Sequence, residues 1–218
     1  MTAGSLRYQW ISMSKGVKSV IGSSVRVRDG QAGDWRMSSM SIETDRLRLR
    51  PIAMTDAEVM LPLHRDADMQ RYFGDGHTYT PEESRTWLEW HVGMWDLEGF
   101  SFFGARLKSD ATFVGWIGLN KVLDDPELAG CTEIGWFIDR RQWGQGLATE
   151  GALASLSFGF ETLGLDRIIA RYRTDNAASG RVMEKIGMRP WRTVPNRAVH
   201  GTTITMYEIG AAERGSTQ

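Results

Sequence analysis

One cysteine in 218 residues, Cys131, excludes an internal disulfide, so the fold must be held by its own packing. Histidine is nearly as sparse: His64, His77, His91 and His200 lie far apart and share no zinc-ligand spacing with Cys131. No apolar run of about 18 residues appears, so no segment reads as a membrane-spanning helix. There is no surplus of charge either; the formal net charge is −1 at pH 7. Proteins whose main task is to neutralise nucleic-acid phosphates carry a basic excess. What remains is a protein expected to need no metal and to work in a reducing, cytoplasmic compartment, with a small molecule or another protein as partner. A single domain of this length buries most of its apolar surface unaided.

Residues 1–40 are rich in Ser, Gly, Lys and Arg and keep no period, so they read as a poorly ordered extension. A domain is expected at 41–210, with 211–218 as a tail. The stretch 17–25 is broken by Lys18, Gly22 and serines and makes a poor signal peptide. A natural start at Met37 or Met40 is a second reading of this end.

Residues 46–52 alternate arginine with apolar residues and close at Pro51, as an edge strand with one wet face does. This alternation also argues against an RNA-binding role for its arginines. Two Thr-x-x-Glu capping boxes follow, Thr55 to Glu58 and Thr80 to Glu83, the second with Pro81 at the first helical position. In that second helix Trp87, Trp90, His91, Met94 and Leu97 recur as an apolar stripe. Residues 100–107, 112–122 and 132–138 read as three strands of an antiparallel meander. A helix carrying Leu147, Leu153, Leu156, Phe160 and Leu163 is stopped by Gly164, and a strand at 167–173 follows it. Asp175 and Asn176 open a shorter helix with Val182, Met183 and Ile186 inward, before strands at 189–194 and 202–209. The fold class is α/β (α+β): a mixed, mostly antiparallel sheet of about seven strands flanked by about four helices. Trp191 and the last strands offer an apolar edge, which leaves monomer and homodimer both open.

The stretch from Ile134 to Glu150 carries the most chemistry, because an apolar strand runs into a glycine-bearing turn and then a small-residue helix. Gly144 and Gly146 let the backbone approach a ligand closely. The first helical turn presents N–H groups without intrahelical partners, and the helix dipole adds to their pull on an anion.

Four pieces together resemble the GCN5-related N-acetyltransferase (GNAT) superfamily, in the branch of the ribosomal-protein N-terminal (alanine) acetyltransferases. They are Glu43-Thr-Asp-Arg-Leu-Arg-Leu-Arg, Glu133-Ile-Gly-Trp, Trp143-Gly-Gln-Gly-Leu-Ala-Thr-Glu, and Asn176-Ala-Ala-Ser179 followed by Glu184-Lys-Ile-Gly-Met. The resemblance spans residues 42–209. It implies acetyl-CoA as cosubstrate and an amine as acceptor. The superfamily's loop pattern fits in two registers, Arg141-x-x-Gly144-x-Gly146 and Trp143-x-x-Gly146-x-Ala148. The second keeps the spacing to Glu133 and Asn176 and is preferred. The resemblance then assigns the coenzyme's pyrophosphate to backbone N–H groups of Trp143, Gly144, Gln145, Gly146, Leu147 and Ala148. Trp136, Phe137 and Ile138 would pair their backbone with the pantetheine arm, as one strand pairs with another.

Acetyl transfer needs a neutral amine, a polarised thioester and a proton for the leaving thiolate. The resemblance places Glu133 beside the thioester as general base; a plain surface-strand glutamate is the competing reading. Many relatives protonate the thiolate with a tyrosine seven residues beyond the asparagine, a position held here by Met183. Ser179 is the available hydroxyl, while Asn176 either contacts pantetheine or simply caps its helix. Arg140 and Arg141 receive no assignment, and Cys131 is expected in packing. The expected function is direct transfer of acetyl, in a ternary complex, to the primary amine of a protein N-terminus or a small molecule. The alternative is an acetyl-CoA-binding regulatory module with little turnover.

Overall fold

The computed structural model describes residues 40–216, so the expectations for residues 1–39 lie outside it. Eight strands form one sheet in the order β1-β2-β3-β4-β5-β6-β8-β7. They are β1 (Ile42–Glu43), β2 (Leu47–Pro51), β3 (Phe102–Leu107), β4 (Phe113–Lys121), β5 (Thr132–Ile138), β6 (Arg167–Arg173), β7 (Arg189–Pro195) and β8 (Thr203–Gly210). The α-helices among the described residues are α1 (Ala57–His64), α2 (Ala67–Gln70), α3 (Pro81–Glu98), α4 (Leu147–Ser157) and α5 (Ala177–Lys185). All neighbouring strands run antiparallel except β5 and β6.

Strand β1 and helix α2 exceed the expected count because two and four residues are too short to show a period. β1 pairs with β2 through Ile42↔Leu49 and Glu43↔Arg48, so β1, not β2, is the sheet's edge. Beyond β8, Ala211–Ser216 forms 3₁₀ turns tied back by Glu213, which accepts the Gly210 N–H at 2.9 Å.

The second capping box forms as expected: Thr80 Oγ1 accepts the Glu83 N–H at 3.2 Å and Glu83 accepts the Thr80 N–H at 2.8 Å. The first does not. The chain makes a 3₁₀ turn at Met54–Asp56, and α1 begins only at Ala57. Asp56 is fully buried there and accepts hydrogen bonds from the Ala53 N–H and from the guanidiniums of Arg50 and Arg106. A buried carboxylate is costly unless paired and hydrogen-bonded, so this cluster fixes the turn where a Thr55 cap was expected.

The helices divide between the sheet's two faces. On one face α3 packs Trp87, Leu88, His91, Met94 and Trp95, whereas Leu97, expected in the stripe, is 59% exposed. Trp87 meets Phe102 and Trp116 there. On the other face α4 lies so close that a Cβ on Gly151 would come within 2.3 Å of Ile117. Small residues make this approach possible, with Ala152 and Ser155 fully buried and Leu153 turned out at 43% exposure. After α4 the chain continues as a π-helical turn, Phe158–Thr162, ahead of Gly164.

Candidate active site

The loop between β5 and α4 is built by local hydrogen bonds. Asp139 caps the 3₁₀ turn Arg140–Gln142 by accepting the Arg141 N–H at 3.0 Å. It also takes the Arg141 guanidinium with both oxygens, and that pairing holds its carboxyl below the usual range. Arg140 donates to Asp66 at 2.7 Å. The Trp143 indole N–H donates to the Ile138 carbonyl at 2.6 Å, so this tryptophan closes the loop onto the end of β5. The Trp143 backbone N–H is spent on Arg140 O at 3.2 Å, which removes it from the expected set of anion donors. Gly144 (φ 78°) and Gly146 (φ 81°) are both left-handed, a region that costs other residues about 1–2 kcal/mol. No hydrogen bond between described residues uses the N–H groups of Gly144, Gln145, Gly146, Leu147 or Ala148.

A clamp from the start of the domain holds this loop. Thr44 Oγ1, the Arg46 N–H and Arg46 Nε all donate to Glu150, and Arg46 Nη1 donates to Gln145 O at 2.8 Å. Burial opposes ionisation of Glu150, but the hydrogen bonds from Thr44 and Arg46 outweigh it and lower its pKa. The first and third motifs of the sequence are therefore halves of one device.

Beside the loop, the sheet opens. β5 and β6 join at a single register position, Glu133↔Ile169, whereas β4 and β5 pair at seven. Toward the carboxyl ends of these two parallel strands, the β6 side of Ile134, Gly135, Trp136, Phe137 and Ile138 is left out of the ladder. α4 and α5 both start at that end, the crevice where open α/β sheets bind ligands. At the head of α5 the Asn176 side chain accepts the Ser179 N–H at 3.4 Å and donates to Ser179 Oγ at 3.1 Å. The cap reading of Asn176 is thus realised. Because Asn176 supplies a hydrogen to Ser179 Oγ, the serine's own proton is left to donate elsewhere. Met183 is buried, and Tyr172 packs under α5, where a Cβ on Gly180 would meet its hydroxyl at 2.9 Å.

Glu133 stands where the strands part. Both its oxygens accept from Arg171, at 3.0 and 2.7 Å, and Arg171 also donates to both oxygens of Asp124 at 2.9 and 3.2 Å. Burial works against the Arg171 charge, yet the two carboxylates outweigh it and raise its pKa. Neither partner was legible in the sequence, since Asp124 and Arg171 lie in a turn and a strand that carry no pattern for them.

The sequence model of the acetyltransferase (GNAT) domain matches residues 46–189. The chain belongs to the GNAT acetyltransferase family. This GNAT enzyme is 30% identical over 148 residues to the uncharacterized N-acetyltransferase YoaA of Bacillus subtilis, covering 68% of this chain and 82% of that one. A GNAT-family acetyltransferase from Bacillus anthracis shares its fold with a TM-score of 0.68 at 29% identity, over 80% of this chain and 100% of the other. The ribosomal L7/L12 alpha-N-protein acetyltransferase RimL, solved with coenzyme A, has the same fold at 16% identity and a TM-score of 0.67, over 78% and 98% of the two chains. The family uses acetyl-CoA as acetyl donor, and the free N–H groups of the loop fit a coenzyme's pyrophosphate.

On the opposite face, the GNAT domain carries an aromatic cluster. The ring of Phe137 meets His64, Phe73 and Trp116 at centroid distances of 5.6, 5.8 and 5.6 Å. His64 Nδ1 is hydrogen-bonded to Ser84 Oγ and His91 Nδ1 to Ser101 Oγ, both at 2.9 Å. Burial pushes His64 down to about 4, and burial with the neighbouring His64 pushes His91 down to about 3, so both are neutral at pH 7. The two ends of α2 are tied to the two lips of the opening: Arg140 of the loop holds Asp66 before it, and Arg173 at the end of β6 donates to Arg71 O after it at 2.7 Å. Among the described residues no group of three or more His, Cys, Asp and Glu is placed to share a metal ion, and no helix is long and apolar enough to cross a membrane.

Proposed function

We propose that this protein transfers acetyl directly from acetyl-CoA to a primary amine within a ternary complex, in the cytoplasm. The observation that carries this reading is the single bridge between β5 and β6 beside a run of N–H groups, from Gly144 to Ala148, that have no partner among the described residues. The N–H groups of Gly144, Gln145, Gly146, Leu147 and Ala148 hold the pyrophosphate. The open edge at Trp136, Phe137 and Ile138 pairs with the pantetheine amides, so the cosubstrate adds as a strand where β6 has withdrawn. Asn176 both caps α5 and borders the pantetheine.

The amine reaches the thioester from the face that carries Glu133. Each carboxylate oxygen has two lone-pair sites, and Arg171 occupies one of them on each. Glu133 takes the amine's proton through the sites that remain, directly or through one water. The nitrogen bonds to the acetyl carbon, the carbon–sulfur bond breaks, and the departing thiolate, steadied by a hydrogen bond from Ser179, takes up the second proton that the nitrogen sheds. A serine is too weak an acid to hand over its proton outright, so its share is modest. The acceptor is the amine of a protein N-terminus or of a small molecule.

Free thiol released from acetyl-CoA, followed across a panel of peptides and small amines, tests the reading. Saturable release is expected, and Glu133→Gln is expected to cut kcat and flatten the acid limb of its pH profile. Unchanged turnover and pH profile in that variant would remove Glu133 from the mechanism. Binding of acetyl-CoA with no release for any amine would instead favour a regulatory module, the reading that Met183 in the tyrosine position keeps in play.

A further inference from the structure

Where β6 leaves it, β5 keeps an edge whose backbone groups can be assigned one by one. Just before the strand the Cys131 carbonyl accepts from the Val122 N–H at 3.0 Å, and just after it the Asp139 N–H donates to Val114 O at 2.8 Å; both bonds run to the β4 side. Successive residues of a strand turn their N–H and C=O groups to opposite neighbours. The odd-numbered residues of β5 therefore serve β4, and the even-numbered ones face β6. Past the single bridge at Glu133↔Ile169, the backbone groups that look into the opening include those of Trp136 and Ile138, and the Ile138 carbonyl is the last of them.

That last carbonyl is already taken. The Trp143 indole N–H donates to it at 2.6 Å, so the indole closes the open edge. An extended ligand can pair with Trp136 and with the Ile138 N–H, but there it has to turn off the strand. The unpartnered N–H groups of the loop begin one residue beyond the indole, at Gly144. Trp143 thus stands at the corner between the strand edge and the anion cradle.

Shaping the loop does not require a tryptophan at this corner. Asp139 already caps the 3₁₀ turn, Arg140 holds Asp66, and Arg46 holds the Gln145 carbonyl. The Trp143 side chain is nonetheless 52% exposed, whereas Trp87, Trp95 and Trp116 are buried in the core. A tryptophan whose N–H is bonded and whose ring stays accessible offers a large, oriented apolar surface, the form in which tryptophans serve at binding interfaces. Coenzyme A has one apolar stretch between its amides and its phosphates, the pantoyl carbon that bears two methyl groups. With the amides along Trp136 and Ile138 and the pyrophosphate on Gly144 to Ala148, that carbon falls at the corner. The adenosine lies beyond the pyrophosphate.

We infer that the Trp143 ring is the wall against which the coenzyme's dimethyl pantoyl segment packs, so that this residue binds the donor through its side chain after losing its backbone N–H to the 3₁₀ turn. This rests on the acetyltransferase reading above and deepens its cosubstrate half. The ring holds the donor and takes no part at the thioester, which lies toward Glu133 at the other end of the edge. Its effect therefore belongs in the dissociation constant and KM of the donor, with kcat near wild type.

Calorimetry on the full chain, in displacement format for the weaker ligand, compares acetyl-CoA with S-acetyl-4′-phosphopantetheine, which keeps the pantoyl group and one phosphate but lacks the adenosine. Trp143→Ala is expected to weaken both donors by the same factor, about tenfold, from the loss of the ring's apolar contact. Trp143→Phe removes the indole N–H but keeps a ring, and is expected to stay within about threefold of wild type for both donors. Equal losses in the two variants would mean that the indole acts through its hydrogen bond to Ile138, and would overturn the inference. A loss in Trp143→Ala confined to acetyl-CoA would move the ring's contact to the adenine and overturn it as well, as would unchanged binding in that variant. These outcomes leave the acetyltransferase reading standing. Failure of the unaltered chain to bind either donor overturns both, whereas binding without thiol release for any amine overturns acetyl transfer alone and leaves the role of Trp143 to be read from the dissociation constants.

Discussion

Four residues show how burial and partnership, rather than residue type, decide what a side chain does in this domain. Asp56 is fully buried between Arg50 and Arg106. Removing one partner of such a cluster leaves uncompensated buried charge, so Asp56→Ala is expected to cost about 3–5 kcal/mol of stability in urea unfolding. His64 and His91 are held neutral, with pKa values of about 4 and about 3 against 6.5 for a free imidazole. Below pH 6.5 the unfolded chain gains these protons and the folded chain does not. Stability is therefore full above pH 6.5 and is lost as the pH falls toward 4, by about 2 kcal/mol per histidine at pH 5. Urea unfolding at pH 7.5 and pH 5 checks this: His91→Gln should halve the pH-dependent loss, and an unchanged loss would show that these groups do not carry it. Ser179, oriented by Asn176, is expected to contribute about tenfold to kcat, on the order of 1.4 kcal/mol, measured as turnover of Ser179→Ala at saturating substrates.

Among the elements, the loop from Asp139 to Ala148 and the strand it follows have to be treated together. The loop's shape comes from left-handed glycines, from the Asp139 cap and from the Trp143 indole on Ile138. Its position comes from Glu150, which Thr44 and Arg46 hold from the other end of the domain. Arg46→Ala is accordingly expected to raise KM for acetyl-CoA severalfold while leaving kcat near wild type, and a change in kcat alone would contradict the clamp. The glycines, the second capping box, the meander and the cap at Asn176 were legible in the sequence because each is encoded within a few residues. Three features were not. β1 is too short to show a period, and the start of α1 is set by a buried carboxylate that meets Arg106 from another strand. The Asp124–Arg171–Glu133 chain links residues 38 and 47 positions apart, and no local pattern announces such a pairing. The sequence also assigned the Trp143 N–H to the ligand, whereas the 3₁₀ turn consumes it, a cost of local geometry that motif spacing does not carry.

For the whole molecule, the sheet's one parallel junction organises everything else. Five strands on one side of it and three on the other form antiparallel ladders, and β5 and β6 touch at one position. One face of the junction carries α4, whose first N–H groups have no partner among the described residues, and α5, capped by Asn176; the other carries Glu133, Asn120 and the aromatic cluster. In the proposed reading, cosubstrate and acceptor approach the junction from these two faces and react directly; Cys131 lies partly buried against Val122, Leu128, Ile169 and Met206. Binding that fills the junction should also brace it. At a hundredfold excess over its dissociation constant, acetyl-CoA is expected to add about 2.7 kcal/mol of stability, read as a rise in melting temperature.

Calorimetric titration of acetyl-CoA followed by a thiol-release screen against primary amines tests the central claim most directly. The account predicts one binding site per chain and saturable release of coenzyme A with at least one small primary amine or peptide N-terminus. Saturable binding with no release across the whole panel would contradict it.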